Sequence, residues 1–283
     1  MTKTLFATDL DGTFLGADAK VSAYTARSYN SLVQAGADIT FVTARTPATI
    51  EPLMHALAPR IPAVCMTGAA WWDFSSRSYT RMVYHRAADV DTILRICAAN
   101  GVVPFVYTLD RGSNRLQGYH STPALTAEEQ KFVFERTISD LKTFHIGTPA
   151  PENTRTSTVL LFAMGEPDRI KATAMAIREH TRCYASWYPD TYNPGLALLE
   201  VFAEGVSKAA GLLALKEAIG AKRIVAFGDN LNDIPMLQVA DVAVAVENAH
   251  PQVKEIADVV IGPNPADSVI RYITRYHTSI CDA

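Results

Sequence analysis

The chain has 283 residues, 48% apolar and 19% charged, with a formal net charge of −3 at pH 7. That suits a globular protein with ample core, built as one large domain or two ordinary ones. The balance of charge, with no basic cluster, gives no electrostatic footprint for nucleic acid, and no stretch approaches the ~20 apolar residues of a membrane span.

Strand and helix patterns alternate from the start. Residues 4–8 read as a buried strand and 22–35 as a helix, with Ser22 as N-cap and Gly36 as its stop. A strand over 38–43, a helix over 47–58 and a short strand over 63–66 follow. This βαβαβ order predicts a parallel sheet covered by helices. Trp71-Trp72 next to it are expected to be core. The middle differs. Helices are expected over 89–99, 127–141 and 167–180, strands over 102–109, 116–120, 158–164, 182–187 and 196–202, and a loop over 147–156. The order αββαβαββ predicts an α+β sheet with helices on one face. In the tail, 207–219 is a helix closed by Gly220, 223–227 a strand, 234–239 a short helix, 242–246 and 259–261 strands, and 266–276 a final helix. The middle therefore reads as an insertion, residues 82–204, into a parallel-sheet domain made of 1–81 and 205–283, with junctions near Arg81 and Glu204.

The four cysteines, Cys65, Cys97, Cys183 and Cys281, are scattered without metal-ligand spacing, as in a reducing compartment. Asp9 and Asp11 interrupt the apolar start before it reaches the length of a secretion signal. A cytoplasmic protein is expected.

The first strand runs straight into Thr8-Asp9-Leu10-Asp11-Gly12-Thr13. Two carboxylates two positions apart stand at a strand's C-terminal edge, where open α/β sheets place their chemistry. Like charges this close repel, and a divalent cation offsets the cost. Other polar clusters follow other strands of the outer segments: Thr43-Ala44-Arg45 and Gly228-Asp229-Asn230-Leu231-Asn232-Asp233. Lys208 lies in the first turn of a helix, within Gly205-Val206-Ser207-Lys208. Alone, each has an ordinary use: Asp-Gly and Gly-Asp-Asn make turns, a threonine caps a helix, a lysine is solvated. In one parallel sheet they would meet at one edge. Carboxylate oxygens suit Mg²⁺, and a hydroxyl, an ammonium and backbone amides suit a phosphate. A carboxylate beside the metal can attack phosphorus.

Asp9-Leu10-Asp11-Gly12-Thr13, Thr43, Lys208 and Gly228-Asp229-Asn230-Leu231-Asn232-Asp233, in that order, resemble the four motifs of the haloacid dehalogenase-like superfamily. The large insert resembles that of its Cof-type branch, subfamily IIB, as do Asn248-Ala249 and residues 264–269 near the end. The resemblance implies an α/β fold: a Rossmann-like three-layer parallel-sheet core with an inserted α+β cap domain. It implies a Mg²⁺-dependent phosphatase for a small phosphorylated metabolite, most often a sugar phosphate, with no nucleic-acid or membrane partner. In that family Asp9 would be nucleophile and metal ligand. Asp11 would be general acid and then general base, with its backbone carbonyl on the metal. Asp229 would bind Mg²⁺, and Asp233 would hold a metal-bound water or the Lys208 ammonium. Thr43, Lys208 and Asn232 would hold phosphoryl oxygens, and Gly12 would let its backbone approach them. The alternatives are a phosphotransferase or phosphomutase on the same aspartyl-phosphate, and a non-catalytic ligand-sensing protein with a relic site. Candidate readers of the leaving group are Arg45, Arg111, Asn114, Arg115, His120, Tyr192 and Asn193. The chain departs from the family's usual Thr-Gly-Arg at Thr43-Ala44-Arg45, from Asn-Gly-Ala at Thr67-Gly68-Ala69 and from Ser-Lys-Gly at Ser207-Lys208-Ala209. None of these changes removes a catalytic group.

Overall fold

β1 (Thr4–Thr8) is buried on both faces from Leu5 onward, as a central parallel strand must be. It leads through α1 (Ala23–Gln34) to β2 (Asp38–Phe41) and through α2 (Pro47–Met54) to β3 (Ala63–Cys65). The computed structural model describes residues 3–281, except 111, 138, 191, 192 and 194, and only the backbone of 278–281. Ser22 caps α1 as expected, its Oγ accepting the Thr25 N–H at 3.0 Å. α2 stops four residues earlier than its pattern suggests, in a turn closed by Leu57 N–H on the Met54 carbonyl just before Pro59. β4 (Ala70–Asp73) and β5 (Ser78–Met82) then extend β3 into a three-stranded sheet that the sequence reading did not anticipate. β4 is only four residues long, and Ser78 and Arg81 break the apolar pattern of β5. Trp72 in β4 is fully buried, as expected of it.

The chain divides into two compact units, Met1–Arg81 with Ser207–Ala283, and Met82–Val206. The first unit is completed by α6 (Lys208–Ala218), β12 (Arg223–Gly228), α7 (Ile234–Gln238), β13 (Val242–Val246), α8 (Pro251–Ile256), β14 (Val259–Ile261) and α9 (Ser268–Cys281). Its sheet has the order β14-β13-β12-β1-β2, every pair parallel. From β1 the chain winds one way through α1 to β2; from β12 it winds the other way through α7 to β13. The C-terminal ends of β1 and β12 therefore flank a topological switch point, the place where doubly wound sheets bind ligands. One close approach fixes α6 against this sheet. A Cβ at Gly211 would lie 2.6 Å from Val64 Cγ1 and 2.8 Å from the Gly68 Cα, so two glycines let the helix carrying Lys208 sit on the β3 turn.

The second unit runs α3 (Ala87–Ala99), β6 (Phe105–Thr108), β7 (Leu116–His120), α4 (Ala127–Arg136), β8 (Lys142–Ile146), β9 (Thr158–Gly165), α5 (Pro167–His180), β10 (Tyr184–Pro189) and β11 (Ala197–Phe202). The expected order αββαβαββ thus gains one strand, β8, and becomes αββαββαββ. Lys142 and His145 break up the apolar alternation that would have marked it. Its six strands order as β10-β11-β9-β6-β7-β8, all pairs antiparallel except β7 with β8. Helices cover both faces, not one. Ile93 and Cys97 of α3 and Ile170, Ala174 and Ile177 of α5 share a core with Val106, Leu161 and Ala163. Phe132 of α4 instead stacks on Phe162 (4.7 Å between centroids) and meets Phe105 (5.5 Å). Phe105 and Val106 are neighbours on one strand and so point to opposite faces.

Buried His85 makes this unit sensitive to acid. Its Nε2 lies 3.2 Å from the Val201 carbonyl and its Nδ1 lies 3.7 Å from the Cys183 Sγ. Neutral imidazole serves both, donating to the carbonyl and accepting from the thiol. Burial pulls its pKa down to about 4, against the opposing pull of the Val201 bond and of Asp89. The unfolded chain, with an ordinary histidine, binds the proton first as pH falls below about 6.5, so the stability that neutral His85 contributes is lost progressively as pH falls from about 6.5 to about 4. In urea unfolding, the advantage of the native protein over His85→Gln should shrink by roughly 2–3 kcal/mol between pH 7 and pH 4. A constant gap would mean that His85 is not buried neutral.

Candidate active site

β1 delivers Asp9 to the switch point with its backbone still in the ladder: the Asp9 N–H donates to the Phe227 carbonyl at 3.0 Å. The chain then turns widely, closed by Leu15 N–H on the Leu10 carbonyl, with Gly12 at φ 77°. A side chain at Gly12 would run into the Asp229 carboxylate, so only glycine serves both the conformation and the approach. From β12 the chain continues into the turn Leu231–Asp233, which returns Asp233 beneath the strand end.

Lys208 joins the two acidic segments. Its Nζ donates to Asp9 Oδ1 and to Asp233 Oδ1, both at 2.6 Å, and the side chain is 1% exposed. The second Asp233 oxygen accepts the backbone N–H groups of Asp229 and Asn230, both at 3.0 Å. Thr13 Oγ1 donates to Asp229 Oδ1 at 2.6 Å. Burial alone would lower Lys208, but Asp233 and Asp9 outweigh it and hold the ammonium charged. Burial raises Asp9 to about 8, with Lys208 opposing and Asp233 and Asp229 adding to the rise. Burial likewise lifts Asp229 to about 6, against the Thr13 bond.

Asp9, Asp229 and Asp233 each offer a carboxylate oxygen within 4.8 Å of the others. Both oxygens of Asp233 are already committed, to Lys208 and to two amides. The atoms left open are Oδ2 of Asp9 and Oδ2 of Asp229, neither of which accepts a hydrogen bond from the described residues. Three carboxylates facing one ammonium carry a net charge of −2 when all are ionised. A hard divalent cation fits both the donors and the charge.

The remaining expected residues divide. Thr43 follows β2 and is buried; its Oγ1 accepts the Arg45 N–H at 3.1 Å and keeps its own proton to donate. Arg45 and Asp11 face each other as an ion pair: Nε to Oδ2 at 2.7 Å and Nη2 to Oδ1 at 2.6 Å. The Asp11 carboxylate is thus held by Arg45 and is not one of the three clustered carboxylates, though its charge adds to the rise of Asp229. Asn232 is exposed on its turn. In the second unit, Asn114, Arg115 and Asn193 are exposed, with Arg115 Nε on the Asp140 carbonyl at 2.6 Å. His120 is corrected from an open reader to a core residue. It is 1% exposed, packs 4.5 Å from the Phe105 ring and places Nδ1 3.0 Å from the Thr122 carbonyl. Its strand alternates, and its position falls on the inward face. Arg111 and Tyr192 lie outside the described residues.

Two asparagines tie down the acidic turn. Asn248 Nδ2 donates to the Gly12 carbonyl at 2.8 Å, and Asn264 Nδ2 to the Leu15 carbonyl at 2.7 Å. The Asn264 N–H in turn donates to Asn248 Oδ1 at 3.0 Å. Both lie in the two tail segments, Asn248-Ala249 and residues 264–269, that resemble the Cof-type branch, and the resemblance gives them no role.

The sequence profile of the haloacid dehalogenase-like hydrolases matches residues 6–273. The pyridoxal phosphate phosphatase YbhA of Escherichia coli is 28% identical over 96% of this chain and 98% of that protein. The 5-amino-6-(5-phospho-D-ribitylamino)uracil phosphatase YitU of Bacillus subtilis is 24% identical over 96% and 97%. Among solved structures, TM0651 from Thermotoga maritima superposes with a TM-score of 0.74 at 22% identity, covering 97% of each chain. The subclass IIB sugar phosphatase BT4131 superposes with a TM-score of 0.71 at 20% identity, covering 98% of this chain and 99% of that one. These superpositions carry the fold. Among the described residues no helix is long and apolar enough to cross a membrane.

Proposed function

The chain belongs to the haloacid dehalogenase-like hydrolase family, and we propose that it is a Mg²⁺-dependent phosphatase acting on a small phosphate monoester through an aspartyl-phosphate on Asp9. The observation that carries this reading is the buried Lys208 held between Asp9 and Asp233, with Asp229 beside them, at the switch point of the parallel sheet.

One oxygen of the Asp9 carboxylate would attack phosphorus, the other being left for the metal, and the bond from phosphorus to the leaving oxygen would break. Asp11 would give that oxygen a proton. Water would then attack the aspartyl-phosphate as Asp11 takes a proton back, releasing inorganic phosphate and restoring Asp9. Lys208 would orient Asp9 and, with Thr43 and Asn232, hold phosphoryl oxygens; Gly12 would admit them to the backbone. Asp233 would keep Lys208 charged and in place. Mg²⁺ held by Asp9, Asp229 and the Asp11 carbonyl would neutralise charge on the transferring group.

A sugar phosphate is the first candidate substrate. The names of YbhA and YitU add phosphate esters of nitrogen heterocycles. A phosphate-release screen over sugar, nucleotide and vitamin phosphates tests the reading. Release with Mg²⁺ that EDTA abolishes is expected. No release from any ester would sink it, and transfer to an added alcohol in place of release would make the chain a phosphotransferase.

A further inference from the structure

We propose that Arg45 is a positioning residue that sets the orientation of the Asp11 carboxylate, and not a reader of the leaving group. This rests on the assignment of Asp11 as acid and base given above. Asp11 is 51% exposed at the side chain and sits in a turn, and among the described residues only Arg45 hydrogen-bonds to its carboxylate. A half-exposed aspartate without a partner samples several rotamers. The two-point contact from Nε and Nη2 selects one of them and fixes the plane of the carboxylate, which a single bond would leave free to rotate.

Arg45 is itself well anchored, as a positioning group must be. Its N–H is held by Thr43 Oγ1 at 3.1 Å, its carbonyl accepts the Met66 N–H at 3.0 Å, and Nη1 reaches the Thr49 carbonyl at 3.5 Å. The segment that receives it is unusual: Met66 and Thr67 have φ of 51° and 56°, left-handed backbone that non-glycine residues rarely adopt. The Thr67 N–H bonds to the Thr43 carbonyl at 3.1 Å. Strained backbone after β3 thus braces both the residue before Arg45's turn and Arg45 itself. Arg45 spends its fork on Asp11, and its backbone position links that carboxylate to the Thr43 hydroxyl through one hydrogen bond. The spacing Thr43-Ala44-Arg45 therefore couples a phosphate-holding hydroxyl to the acid/base carboxylate.

A double-mutant cycle tests this. Turnover of a sugar phosphate and of an activated aryl phosphate is measured for the native protein, Arg45→Gln, Asp11→Asn and the pair. Arg45→Gln should lower kcat by about 10- to 100-fold, within the worth of a general acid and base, with KM changed less than about threefold. In the Asp11→Asn background the same change should cost less than about twofold, because the group it orients is gone. Arg45→Lys, which keeps the charge but has no fork, should restore only part of the loss. An equal loss in both backgrounds, or a loss confined to KM, would overturn the proposal. Crystal structures of Arg45→Gln and Arg45→Lys give a second readout: an Asp11 side chain unmoved in both would also overturn it. If the native protein turns over no ester, the phosphatase reading fails, and the crystal structures still decide what orients Asp11.

Discussion

Asp9→Asn should abolish phosphate release, by at least about 10³-fold, and should leave the protein folded and able to bind a phosphate ester. The amide keeps the shape of the carboxylate and can still accept the Lys208 hydrogen bond through its oxygen, but it cannot form the acyl phosphate. Removing a nucleophile while keeping the electrostatic site costs turnover far more than binding. Folding should change little, because two effects oppose each other. Lys208 loses one charged partner, while a carboxylate that burial pushes up to about 8, with Asp233 and Asp229 adding to the push, is replaced by a neutral group. The checks are phosphate release, calorimetric binding of the substrate ester and thermal melting. Turnover within tenfold of the native protein would remove Asp9 from the nucleophile's role.

The parts of this site that sequence could reach are those set by strand ends. A parallel strand has one chemistry-bearing end, so Asp9, Thr43 and Asp229 could be placed at one edge from the alternation of elements alone. Lys208 followed from its position at a helix start. What escaped depends on side-chain direction. The Arg45 fork onto Asp11 spans 34 positions in the chain and leaves no periodic trace. His120 has the polarity of a ligand contact, yet which way it points depends on the register of β7 against β6, where it pairs with Phe105. β8 was missed because Lys142 and His145 look solvent-facing in sequence. Lys142 in fact lies buried with its amine 5.1 Å from the Tyr107 ring centre. Asn248 and Asn264 stand in segments that the family resemblance marks, but their role, hydrogen-bonding backbone carbonyls of a distant turn, shows only when the turn is in view.

Lys208→Ala should lose both activity and stability, and the two losses should be separable. In the native protein the ammonium bonds to both Asp9 and Asp233, each at 2.6 Å, and among the described residues no other cation does so. Removing one member of a buried charged group leaves its partners uncompensated, which typically costs about 3–5 kcal/mol. Turnover should fall by about 10²- to 10³-fold, the scale seen when a preorganised group facing developing charge is lost; a fall of less than about tenfold, roughly 1.4 kcal/mol of barrier, would place Lys208 outside the chemistry. Adding Asp233→Asn in the Lys208→Ala background removes one stranded charge and leaves an amide oxygen for the Asp229 and Asn230 N–H groups. Urea unfolding should recover part of the lost stability, and turnover should not recover, since Asp9 still lacks its cation. If activity returned together with stability, Lys208 would be only a scaffold for the Asp233 turn. If neither returned, Asp233 would be held by its two backbone amides alone, and the stability loss would come from Asp9.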